Sequence, residues 1–492
     1  MNEYYLAIDI GASGGRHIVG AIESGKLVLR EVYRFENSMA KRGGRLVWDT
    51  DYILAEILAG MKKCKEAGLV PKSVGLDTWG VDYVLLDAGM ERVGPAYAYR
   101  NLWTEGMDTR LDAAVPPEEL YRRTGLQRLT INTIYQLMAQ SEFVPEETEK
   151  AGRLLMLPDY FHFLLCGEPL NEYTIASTSG LLDVRAKNWD YELIAKIGFD
   201  ASVFGPLSMP GTRAGALKKA VAEEVGFSAD VVLPGSHDTA SAAVATPSLS
   251  GDPIFLSSGT WSLLGCESSA PYTSESSMRC DFSNEGGYDG RILFLKNIRG
   301  LWMIQSVRKE LANGTSYGEI CGMAEASDIQ TRVDPDDERF LSPESMTEAI
   351  RAYVRERGGR VPEGIGETAA VIYRSLADHY GKTARDLAEV TGRSFTSIHV
   401  MGGGSNAGFL NMLTAEATGL PVHAGPAEAT AAGNILCQMI SDGVFRDLSE
   451  ARKCIVDSFA IQSYEAVCST AGSVNHSVDR FYRSFKGKEA LY

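Results

Sequence analysis

No apolar run in the sequence is long enough to span a bilayer as a helix. Basic residues are the scarcer charge, 48 against 64 acidic, and the net charge of −16 argues against nucleic acid or an anionic membrane as partner. A phosphorylated ligand stays open, because local backbone N–H groups can hold phosphate inside an acidic protein. The eight cysteines (Cys64, Cys166, Cys266, Cys280, Cys321, Cys437, Cys454 and Cys468) are scattered, with no CxxC pair and no metal-ligand spacing. That scatter speaks against structural zinc and for buried thiols in a reducing cytoplasm. Residues Met1 to Tyr5 lack a basic segment and run straight into Leu6-Ala7-Ile8-Asp9, so no signal peptide is expected. A Walker GxxxxGK[ST] loop is missing, and so is a GxGxxG motif opening a helix.

What is present is a chain of 492 residues, 45% apolar and 23% charged, the composition of a globular protein of two or three domains. Its centre is Val231-Val232-Leu233-Pro234-Gly235-Ser236-His237-Asp238-Thr239-Ala240. An apolar strand ending at Pro-Gly and presenting His, Asp and Thr together is how α/β enzymes display reactive groups. Asp238 is equally a favoured helix cap, and the local pattern leaves both roles open. At the N-terminus, strand Tyr4 to Ile10 meets Gly11-Ala12-Ser13-Gly14-Gly15-Arg16 and returns as His17 to Ile22, with a third strand over Lys26 to Phe35. A glycine-rich hairpin tip offers a nest of free N–H groups to phosphate oxygens. Asp9 beside such a nest calls for a bridging cation, most simply Mg2+.

The rest of the chain repeats this plan. Asp49 to Gly68 has helical periodicity, and Ser73 to Asp77 reads as a strand leading into Thr78-Trp79-Gly80-Val81-Asp82. There Trp79 and Asp82 are a candidate sugar-recognising pair. Ala96 to Arg100 reads as a short strand, and the following stretch as an insertion walling a sugar cleft. After the Pro, Ser and Gly residues at 247 to 251, which mark the expected domain boundary, strand–turn–strand recurs over Ile254 to Gly265 with Thr260 at its tip. Lys296 to Leu311 reads as a helix with Asn297 at its cap. Residues 313 to 360 read as a solvated excursion. The helix Glu367 to Thr391 is expected to pack between domains. Strand Ser397 to Met401 runs into Gly402-Gly403-Gly404-Ser405-Asn406, with Asn406 expected to cap the next helix over an adenosine or phosphate site.

The β-β-β-α-β order matches the ribonuclease-H-like core of the actin and hexokinase superfamily. Taken with Asp77 to Asp87, Met156 to Phe161, Ser236 to Ala242, Leu256 to Ser262 and Lys296 to Trp302, the Asp9 to Arg16 loop makes the chain resemble the FGGY family of carbohydrate kinases. One departure is Thr133-Ile134-Tyr135-Gln136, where many members carry Thr-Lys-x-x-Trp; it weakens a glycerol or xylulose assignment. The resemblance implies two ribonuclease-H-like α/β domains, residues 1–246 for sugar and 247–492 for nucleotide, flanking a cleft. It implies phosphorylation of a ketose by ATP with Mg2+. The implied ketose is L-rhamnulose, phosphorylated on O1, with L-fuculose or another ketose as alternative and a non-catalytic sugar sensor behind it. By position it implies Asp238 as base and His237, Thr239, Gly80 and Asn297 around the sugar. Ala12, Ser13, Gly14, Gly15, Arg16, Thr260, Gln305 and Gly403 would hold ATP, with Asp9 near the metal.

Overall fold

The stretch Tyr4–Gly11 is buried along nearly its whole length, as the central strand of a covered sheet is. Gly14–Glu23 and Lys26–Glu36 follow it antiparallel, while Pro71–Thr78 and Asp230–Val232 extend the other edge in parallel and Arg213–Ala216 closes it. The second sheet repeats the scheme. Pro253–Ser258 pairs antiparallel with Trp261–Ser268 and that strand with Ile292–Arg299, while Ser397–Met401 and Val422–Ala424 add in parallel and Gln462–Tyr464 antiparallel. An additional strand, Ser283–Gly286, flanks Ile292–Arg299. The computed structural model describes residues 3–248, 251–341 and 343–466; Leu249 and Ser250 of the expected boundary, and Cys468, lie outside them. Among the described residues the other seven cysteines are free thiols, and no helix is long and apolar enough to cross a membrane.

Several elements follow the sequence pattern closely. The helix Thr50–Glu66 is capped by Asp49, whose carboxylate accepts from Tyr52 N at 3.1 Å, and Gly68 follows its end at φ 71°. Other expectations are overturned. Only Ala96–Tyr97 is a strand, because Ala98 accepts from Asn101 N at 3.1 Å and turns the chain. Residues 313 to 360 are not a solvated excursion. They carry helices Tyr317–Glu325 and Met346–Glu356, and bury Ile320, Phe340 and Tyr353 in the core of the second half. Their charges lie on the outward faces, which made an amphipathic segment look like a loop.

The long helix Gly364–Thr391 packs within the second half, on Trp302–Leu311, Tyr317–Glu325 and Gly408–Thr418, and not between domains. The helix Ala429–Ser441 takes that place. It lies against Tyr4–Gly11, Pro71–Thr78 and the helix Asp238–Val244, all from the first half. Its small residues allow close approach: a Cβ on Gly433 would overlap the carbonyl oxygen of Ser241. A third apolar core forms along this seam from Tyr5, Ala7 and Ile18 on one side and Phe255, Leu263 and Ile435 on the other. We therefore expect Gly433→Ala to destabilise the protein by about 1–3 kcal/mol through overpacking, read as a lower midpoint in urea. An unchanged midpoint would show that the seam yields without cost.

Candidate active site

The polar loops converge where the parallel strands of the first sheet end, the usual ligand crevice of open α/β sheets. Asp9 lies near the end of the strand Tyr4–Gly11, and Asp77-Thr78 ends the next. His237 bridges to Thr78 in parallel register, carrying the line of Asp230–Val232 forward so that Asp238 opens a helix at the same level. These loops face the second sheet's hairpin across a cavity of about 540 Å³.

Asp238 is the first residue of its helix, and the capping position belongs to His237. The Asp238 side chain keeps 37% of its surface open to the cavity and accepts from the Thr239 hydroxyl at 3.1 Å. Burial within the cleft pushes its carboxyl up to about 7, and the nearby charge of Asp9 pushes in the same direction. Asp77, fully buried, is raised well above the carboxylate range by burial and by Asp9, although Asn434 donates to it at 2.6 Å. Asp9 is held by the Arg16 guanidinium at 2.6 Å, and Arg16 also pairs with Glu428 from the second half.

Of the residues implied by the resemblance, all but Gln305 border the cavity: Asp9, Ala12 to Arg16, Gly80, His237, Asp238, Thr239, Thr260, Asn297 and Gly403. Gln305 stands behind Thr260, its Oε1 3.5 Å from the Thr260 hydroxyl. The two hairpin tips, Gly11 to Arg16 and Ser257 to Thr260, both line the cavity, as do Gly402, which packs on Ser258, and Gly403. The insertion contributes Leu126, Gln127, Ile131, Asn132 and Thr178 to the cavity.

Three local expectations are corrected. Asn297 caps no helix: it sits inside the strand Ile292–Arg299, opposite Leu263, and the helix begins at Trp302. The chain breaks at Gly300, where a Cβ would overlap Ser262, and pairing with a neighbouring strand outweighs the capping preference of Asn. Asn406 likewise ends a single tight turn, Gly403–Asn406; the helix starts at Gly408 with Ala407 at its cap. Asp82 does not face a sugar. It is completely buried and accepts from the indole N–H of Trp48 at 2.6 Å and of Trp79 at 2.8 Å, with Gln136 donating to its other oxygen at 3.1 Å. Burial lifts this carboxyl to about 6, against the pull of those donors. Trp79 keeps its edge on the cavity, oriented by Asp82.

Some residues of the site escaped sequence reasoning. Gln127 grips Asn297, accepting from its N–H at 3.1 Å and donating to its carbonyl at 3.4 Å across the cleft. Glu285 meets both Asn297 and His237. Neither lies in a motif, and no local signal marks them. For a divalent cation the donors fit: Asp9 and Asp238 border the cavity, and behind them Asp77 Oδ1 is buried without a hydrogen-bond partner. Hard carboxylate oxygens gathered on this cavity suit a cation that keeps most of its waters. Among the described residues one tighter trio exists, Asp334, Asp336 and His379, but it does not border the cavity.

Comparison with known proteins agrees with this layout. Residues 4–245 match the N-terminal domain of the FGGY family of carbohydrate kinases, and residues 254–441 its C-terminal domain. A protein from Halalkalibacterium halodurans named rhamnulokinase is 43% identical, over 94% of this chain and 98% of its own length. A rhamnulokinase from Oceanobacillus iheyensis is 42% identical, over 95% and 99%. The ligand-bound xylulose kinase structure from Lactobacillus acidophilus superposes with a TM-score of 0.79 at 13% identity, covering 98% of this chain and 96% of that one. With both family domains matched in order and relatives similar end to end, the chain belongs to the FGGY family of carbohydrate kinases.

Proposed function

We propose that the protein transfers the γ-phosphoryl group of ATP, with Mg2+, to O1 of L-rhamnulose, giving L-rhamnulose 1-phosphate in L-rhamnose catabolism. The observation that carries this reading is Asp238, a carboxylate open to the cavity between two phosphate-facing hairpins. The choice of sugar rests on the two relatives named rhamnulokinase, similar over nearly their whole length. These relatives do not favour L-fuculose or another ketose, nor a sensor without turnover.

Residues 1–246 act as the sugar-binding domain and 247–492 as the nucleotide-binding domain. His237, Thr239, Gly80 and Asn297 surround the ketose, and Trp79 offers it an apolar edge. The amides of Ala12 to Gly15, with Thr260 and Gly403, hold the nucleotide; Gln305 supports Thr260, and Arg16 holds Asp9 in place. Asp9 would hold Mg2+, with Asp77 behind it. When bound, that ion offsets charge on the phosphates. Phosphoryl transfer through a loose transition state asks mainly for positioning and charge stabilisation. Asp238 orients the acceptor hydroxyl and receives its proton late in the transfer. The walls of the cleft exclude water that would compete with the sugar. The seven free thiols among the described residues suit a cytoplasmic enzyme.

ADP release with Mg-ATP over a panel of L-rhamnulose, L-fuculose, L-ribulose and D-xylulose tests the substrate. L-Rhamnulose is expected to be preferred clearly, and equal turnover of another ketose would overturn that choice. Asp238→Asn is expected to bind sugar but to lose about 10²–10⁴-fold in kcat, measured in the same assay. Thr260→Ala is expected to raise the KM for ATP several-fold and to leave that for sugar nearly unchanged. Because protonated Asp238 cannot accept a proton, kcat/KM for sugar should fall with unit slope as pH drops below about 7. A flat profile between pH 5.5 and 8 would remove Asp238 from the proton transfer.

A further inference from the structure

The helix Pro117–Thr124 of the first-half insertion ends on Gly125, held at φ 64°. A Cβ there would overlap the Asn284 side-chain amide, so glycine lets the chain lie directly on the edge of Ser283–Gly286 from the second half. The contact is polar along its length. Gly125 O accepts from Asn284 N at 2.8 Å and from Asn284 Nδ2 at 2.9 Å, and Gln127 N donates to Ser283 Oγ at 3.0 Å. On either side, the Tyr121 hydroxyl donates to the carbonyl of Phe282 at 2.8 Å, and Ser177 Oγ accepts from Gly286 N at 2.6 Å. This docking sets the Gln127 side chain against Asn297, and both residues border the cavity.

Pairing of Ser283–Gly286 with Ile292–Arg299 runs out at Leu295, which lies opposite Ser283. Asn297 keeps Leu263 as partner on its other side. Beyond the end of the short strand, the Asn297 main chain is met by the Gln127 amide, Oε1 accepting from its N–H at 3.1 Å and Nε2 donating to its C=O at 3.4 Å. A side-chain amide carries a donor and an acceptor side by side, as a neighbouring strand does. The Asn297 side chain is fixed separately, with Nδ2 donating to Glu285 Oε1 at 3.3 Å, which leaves Oδ1 to accept from a ligand hydroxyl. We propose that Gln127 is a positioning residue for the sugar: it stands in for the missing strand and holds the Asn297 main chain so that the Asn297 side chain meets a sugar hydroxyl. This rests on the reading of Asn297 as a sugar contact. Among the described residues Gln127 bonds only to Ser283 and Asn297 and to neither hairpin tip, so its effect falls on sugar and not on nucleotide. A group that holds bound sugar and transition state alike sets KM and leaves kcat alone.

Gln127→Met keeps the length of the side chain and removes both bonds to Asn297. With the ketose that the wild type turns over best, the KM for sugar is expected to rise about tenfold, while kcat and the KM for ATP stay within twofold. Gln127→Glu, equally long but without a donor for the Asn297 carbonyl, is expected to raise the same KM, and carries the test if the methionine variant does not fold. Amide hydrogen exchange reads the bond itself: Asn297 N–H should exchange faster in Gln127→Met than in the wild type. A sugar KM within twofold of wild type in both variants overturns the proposal, and so does an Asn297 amide that exchanges equally fast in both proteins. A KM for ATP that rises as much as that for sugar overturns it too, because a merely structural role would disturb the whole cleft. Asn297→Ala run alongside separates the two readings. An unchanged sugar KM in that variant sinks the placement of Asn297 at the sugar, whereas a raised one with an unimpaired Gln127→Met sinks only the role of Gln127.

Discussion

Three carboxylates, Asp9, Asp77 and Asp238, stand together where neighbouring strands of the first sheet end, and their repulsion in a buried cleft is the constraint the surroundings answer. Such groups stay ionised only if donors or cations face them. Arg16 faces Asp9 and is itself shared with Glu428. Asn434 donates to Asp77. Asp238 has only the Thr239 hydroxyl and the open cavity. Burial raises both Asp77 and Asp238, but Asp77 is completely buried, so Asp238 is the one of the two that can meet a proton donor in the cavity.

Two groups bound into this arrangement, Glu428 sharing Arg16 and Asn434 donating to Asp77, come from the second half of the chain, so site electrostatics and domain packing are one problem. The helix Ala429–Ser441 carries the solution. Gln438, one turn beyond Asn434, donates to Asn434 Oδ1 at 2.7 Å and to the carbonyl of Leu6 at 2.9 Å, and accepts from the Ser73 hydroxyl at 2.7 Å. Small residues around this polar ladder bring the helix against the first sheet, and the apolar seam seals it from water. A buried network of this kind is favourable because its members satisfy one another.

The sugar-side wall depends on a different local feature. Val81, a β-branched residue, is held at φ 69°, a region that L side chains rarely adopt. Thr178 accepts from its N–H at 3.0 Å, and Thr133 and Gln136 donate to its carbonyl at 2.6 and 3.2 Å. The same turn swings Asp82 inward to anchor Trp48 and Trp79. Gln136 therefore serves both the strained turn and the carboxylate beneath it.

The sequence alone determined both hairpins, the strand-ending His237-Asp238 pair, the glycine run at 402 to 404 and the repeated sheet plan. Each is a local pattern of apolar period, glycine and a polar stop, and neighbours along the chain suffice to encode it. Tertiary structure decided which way Asp82 points, that Asn297 extends a strand instead of capping a helix, and that Ala429–Ser441 rather than the longer Gly364–Thr391 joins the halves. It also brought Gln127 and Glu285 into the site. The physical reason is the same in each case. A buried polar group takes whatever partner the fold brings near, and those partners lie tens to hundreds of residues away, where periodicity and capping preference carry no information.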